Sequence, residues 1–100
     1  MPKSRTARIY RRVYRVAASF SGRFTTEEFV REFSQRFPLS WRYLVRKYAP
    51  GGKGAGHPYS AASRVSGMLR RMANRKRIRR HKYVAASPSW GSPWVRTWQS

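Results

Sequence analysis

The chain has no cysteine, only 3 acidic residues, and no aspartate among them. The missing cysteines exclude a disulfide framework, a thiolate nucleophile and any cysteine-based zinc centre, and they fit a reducing, intracellular setting. No uninterrupted apolar run approaches the roughly 20 residues of a spanning helix, and none resembles the apolar core of a secretory leader. A soluble or peripherally bound chain with no membrane partner is expected. The shortage of acids bears on catalysis. The only carboxylates, Glu27, Glu28 and Glu32, crowd into one short stretch. Glu27 and Glu28 fall in the first turn of a predicted helix, where unpaired N–H groups favour negative charge, and Glu32 stands one turn before Arg36 as an ion pair. Neither His57, beside Pro58, nor His81, in an arginine-rich run, has the neighbouring carboxylate or second ligand that a triad or metal site needs. No enzymatic activity, metal, cofactor or small-molecule substrate is expected.

What is abundant is positive charge: 18 Arg and 5 Lys against 3 Glu give a formal net charge of +20. A polyanion suits such a surface, because each cation set against a phosphate releases condensed counterions. The excess of Arg over Lys favours a planar fork that holds phosphate or guanine through two hydrogen bonds and stacks on rings. At 40% hydrophobic and 15% aromatic, the chain is too apolar for a disordered basic tail. One domain over 1–100 is expected.

Periodicity divides the chain into four amphipathic stretches and a hairpin. From Arg5 to Phe20, Ile9, Val13, Val16 and Phe20 share one helical face, with Arg8, Arg11 and Arg15 opposite. Ser21-Gly22-Arg23 breaks the period, and Phe24 suits a short strand. Thr25 and Glu28 then have the spacing of a capping box that opens a second helix over 25–37, with Phe29, Val30, Phe33 and Phe37 inward. Pro38 ends that helix. Ser40 is expected to cap a short third one, with Trp41, Leu44, Val45 and Tyr48 on one face. The third helix and a Gly- and Pro-rich stretch, which reads as a mobile loop without the phosphate-binding Gly-Lys-Ser/Thr pattern, fill an insertion at 38–59.

The helix over 60–74 carries the most functional information. Ser60 is its expected cap, and Val65, Met68, Leu69 and Met72 follow the inward spacing of an amphipathic helix. The opposite face presents Ser60, Ser63, Gly67, Arg70, Arg71 and Asn74, small donors and cations with no acid among them. Gly67 is costly in a helix interior, and a closely approaching partner is one reason to keep it there. Asn74 is expected to take the left-handed conformation that stops the helix. The run Arg75-Lys76-Arg77-Ile78-Arg79-Arg80 leads into an extended segment through Val84, a turn rich in Ser and Pro around Trp90, and a second strand from Trp94 to Trp98. These make a hairpin over 77–98 whose irregular parity suggests strands wet on both faces.

The order helix, short strand, capped helix, amphipathic helix, basic strand, turn, strand resembles a winged helix-turn-helix domain. FTTEEF at 24–29 is similar to that family's second-helix opening, and SRVSGMLRRMANRKRIRR at 63–80 to its recognition helix running into the wing. The resemblance implies a mainly α fold with a small C-terminal β-hairpin (α+β), a winged-helix-like domain of three to four helices. It also implies that Ser63, Arg64, Gly67, Arg70 and Arg71 face a major groove, while Arg79, Arg80, Lys82 and the turn around Trp90 contact the backbone or minor groove. Ser60, Arg75 and Lys76 belong to the same expected surface. One departure is the insertion at 38–59, where the family has a tight turn. The expected partner is nucleic acid, duplex DNA with weak sequence preference foremost, as for an architectural, chromatin-like or transcription-regulating protein of the nucleoid or cytoplasm. The alternative is a ribosomal or other structural RNA-binding protein.

Overall fold

The structure, a computed structural model, describes residues 5–48, 60–90 and 92–100; the expected loop at 49–59, with His57, lies outside them. In chain order the elements are α1 (Arg5–Ser19), β1 (Arg23–Thr25), α2 (Thr26–Arg36), α3 (Pro38–Tyr48), α4 (Ala61–Asn74), β2 (Arg79–Ala85), a 3₁₀ turn (Pro88–Trp90) and β3 (Trp94–Gln99). The fold is mainly α with a small antiparallel sheet, α+β and winged-helix-like.

Each helix starts where its local chemistry permits. In α1, Ile9, Val13, Val16 and Ala17 are buried while Arg8, Arg11 and Arg15 stay exposed. Gly22 then turns the chain at φ +127°, a backbone region open to glycine. The capping box of α2 forms as read: Thr25 Oγ1 accepts from the Glu28 amide at 3.0 Å, and Glu28 Oε1 accepts from the Thr25 amide at 2.9 Å. Pro38 does more than end α2. It opens α3, since its lack of an N–H costs nothing in a first turn. Ser40 is therefore not a cap; it lies buried within α3 and accepts from Arg12 Nη1 at 2.6 Å. Val45 is also on the outside, because it sits about 100° round the helix from the inward Leu44.

In α4 the Ser60 cap accepts from the Ser63 amide at 3.1 Å, and Ala61, Ala62, Val65, Met68, Leu69 and Met72 are buried. The expected stop at Asn74 is displaced by two residues. Lys76, not Asn74, takes the left-handed conformation, at φ 61°. The Lys76 amide bonds to the Ala73 carbonyl and the Arg77 amide to the Met72 carbonyl, each at 3.0 Å, the paired bonds of a Schellman ending. Asn74 serves another purpose: its side-chain oxygen accepts from Arg80 Nη2 at 2.7 Å.

The hairpin is part of a three-stranded sheet in the order β1-β3-β2. Phe24 pairs with Trp98 across β1 and β3, so the last strand occupies the centre. A bulge between Arg80 and Tyr83 places an extra residue in β2, and this is the source of the confused parity. Of the two strands expected to be wet on both faces, β2 is largely exposed, whereas β3 buries Val95, Thr97 and Trp98. All four helices pack on this sheet or on one another around one core. Phe20 stacks on Phe24 with centroids 4.3 Å apart, Phe29 on Phe33 at 5.8 Å, and Trp98 Nε1 donates to Thr26 Oγ1 at 2.9 Å. A smaller cluster of Ala62, Trp90 and Val95 closes the hairpin end.

Candidate nucleic-acid interface

The outward face of α4 is the ridge of the candidate interface. Ser63, Arg70, Arg71, Asn74 and Arg75 are exposed along it, followed by Lys76, and then by Arg79, Arg80 and Lys82 on β2. Gly67 lies midway, and a Cβ built there meets nothing within 4 Å. No packing neighbour among the described residues therefore requires glycine.

A groove flanks each side of the ridge. Between α1 and α4 lies a groove of about 460 Å³ lined by Tyr10, Arg11, Arg64, Gly67, Arg71 and Arg75. Arg64 is half-buried with its guanidinium 5.4 Å from the Tyr48 ring centre. Its Nε and the Tyr10 hydroxyl are buried without hydrogen-bond partners among the described residues. On the other side a cleft of about 250 Å³ separates α4 from the hairpin, with Ser63, Ser66, Arg70, Tyr83, Trp94 and Arg96 among its lining.

Two expected contact residues are not presented to a partner. Ser60 is only 2% exposed, because its hydroxyl is turned onto the first turn of α4 as a cap. Trp90 is 8% exposed: the 3₁₀ turn folds it back onto Ala62 and Val95 instead of leaving it at a tip. Among the described residues, the exposed aromatic side chains are Tyr83 and Trp94, at 55% and 59%. Neither they nor Arg96, Tyr10 and Arg11 were among the expected site residues. The alternation Trp94-Arg96-Trp98 was a visible signal for one face of β3, but its match to Tyr83 depends on the bulge.

Electrostatically, the carboxylates are all used in holding α2 and its surroundings together. Glu28 completes the capping box, Glu32 pairs with Arg36 at 2.8 Å, and Glu27 accepts from the amide and hydroxyl of Ser87. Several cations are instead seated on rings: Arg71 lies 6.0 Å from the centre of Tyr10, Arg77 5.3 Å from Tyr14, and Arg96 4.2 Å from Tyr83. A ring orients a guanidinium through its quadrupole without cancelling its charge. Among the described residues, no group of three His, Asp or Glu side chains could hold a metal ion, and no helix is long and apolar enough to cross a membrane.

No family model matches this chain, and neither a curated protein nor a solved structure shows significant similarity to it.

Proposed function

We propose that this chain is a non-enzymatic nucleic-acid-binding protein that grips duplex DNA with weak sequence preference, in an architectural, chromatin-like or broadly regulatory role inside the cell. The observation that carries this reading is the acid-free cationic ridge. Arg70, Arg71, Arg75, Lys76, Arg79, Arg80 and Lys82 all face solvent from α4 through β2, while the three carboxylates are engaged elsewhere. The small Ser63 and Gly67 keep the middle of the ridge low, which suits a helix entering a major groove about 12 Å wide. A surface without carboxylates neither reads cytosine nor repels misplaced phosphates, so discrimination between sequences should be slight.

Salt tests the reading directly. If about five to eight phosphates are contacted, log K against log salt for a duplex should slope at roughly −4.5 to −7. A slope shallower than about −2 would mean that phosphate neutralisation is not the main source of affinity. Structured RNA measured at equal salt provides the competing arm; tighter binding there would transfer the reading to RNA.

A further inference from the structure

Of the aromatic residues described, Tyr83 and Trp94 are the two left exposed, while the others are buried or half-buried. The β2–β3 register explains why they lie together. Tyr83 pairs with Arg96 and Ala85 with Trp94, so Tyr83, Arg96 and Trp94 occupy one side of the ribbon, with Tyr83 and Trp94 diagonal neighbours. That side runs outward from the buried Trp98 to the cleft beside α4. Arg96 is fixed there by its position over the Tyr83 ring and by an Nη1 bond to the His81 carbonyl at 3.0 Å. Facing them across the cleft, α4 supplies Ser63, Ser66 and Arg70. No carboxylate is among the lining residues.

From this arrangement we infer that the cleft receives an unpaired nucleobase, stacked on Trp94, from the same nucleic acid whose backbone lies along α4. The inference rests on the proposed nucleic-acid reading and narrows its substrate to duplexes interrupted by an unpaired base. The chemistry selects this occupant on three counts. An exposed indole offers a planar ligand an apolar face, and the neighbouring phenol is already covered by the Arg96 guanidinium, which brings a cation to the edge of that face. Ser63, Ser66 and Arg70 offer both donors and acceptors to a base edge. Arg70 and Arg96 attract the phosphates on either side of it, and the absence of acids disfavours cationic ligands. A base already out of the stack enters without the unstacking cost that a paired one must meet.

The test compares the full chain's affinity for a blunt duplex and for the same duplex carrying a single bulged 2-aminopurine. The bulged duplex should bind roughly 5- to 100-fold more tightly, the fold-change that stacking one base supplies, with the 2-aminopurine emission quenched. Trp94→Ala should abolish that preference and the quenching while leaving blunt-duplex affinity and its salt slope within about 2-fold of the parent, since ridge contacts carry those. Trp94→Phe should restore part of the preference. Equal affinity of the parent for the two duplexes would overturn the cleft assignment and leave the ridge reading intact. So would loss of affinity for both duplexes alike in Trp94→Ala, or sedimentation showing that Trp94→Ala converts a dimer to a monomer. Failure of the parent to bind either duplex at low salt would instead defeat the nucleic-acid reading itself.

Discussion

Gly67 shows how a single residue can separate the demands of folding from those of binding. It lies within α4, where glycine is less favourable than alanine by about 0.5–1 kcal/mol, and a Cβ there meets no described residue within 4 Å. Gly67→Ala should therefore raise stability by about that amount in chemical denaturation. Gly67→Glu should also fold, because Val65, Met68, Leu69 and Met72 keep their buried places. It should weaken duplex binding by at least about 1–2 kcal/mol in a titration, because a carboxylate then stands among Arg64, Arg71 and Arg75 where phosphates are expected. Normal binding by Gly67→Glu, with loss of binding on replacing Arg8, Arg11 or Arg15, would move the interface to α1.

Among the elements, what was legible in the sequence followed from local physics, and what was not followed from long-range pairing. The apolar spacings of α1, α2 and α4, the Thr25–Glu28 box and the Ser60 cap depend on residues within a turn or two, and each is present. The start of α3 is not legible because Pro38 serves equally as a terminator and as a first helical residue, and only packing selects between them. The burial of Trp90 escapes the local pattern for a similar reason. Pro and Gly neighbours suggest exposure for Trp90, but contact with Ala62 and Val95 overrides them. The bulge at Arg80/Tyr83 turns Tyr83 to the same side as Trp94, and no local pattern announces it. The legible part of β2 makes its own prediction. Arg79 and Arg80 are exposed at its start, and replacing both with Ala should weaken every duplex about equally and lower the salt slope by roughly 2 units. A slope unchanged by the double substitution would remove this strand from the backbone contacts.

For the molecule as a whole, a formal charge of +20 on 100 residues must repel itself where counterions are dilute. The Debye length falls from roughly 30 Å at 0.01 M to about 8 Å at 0.15 M, so the melting temperature should rise across that interval. Duplex DNA should raise it further by binding the folded state in preference to the unfolded one. A melting temperature unmoved by salt or duplex would count against both the charge density and the ligand. The strand order β1-β3-β2 sets a different constraint, one of timing. β1 and β2 have no bonds to each other, and each finds its partner only in Trp94–Gln99. During synthesis both therefore remain unpaired until β3 has left the ribosome, and Phe24 and Thr26 wait as long for Trp98. For that interval an arginine-rich, incompletely closed chain lies beside ribosomal RNA, and its first polyanionic encounter precedes its final fold.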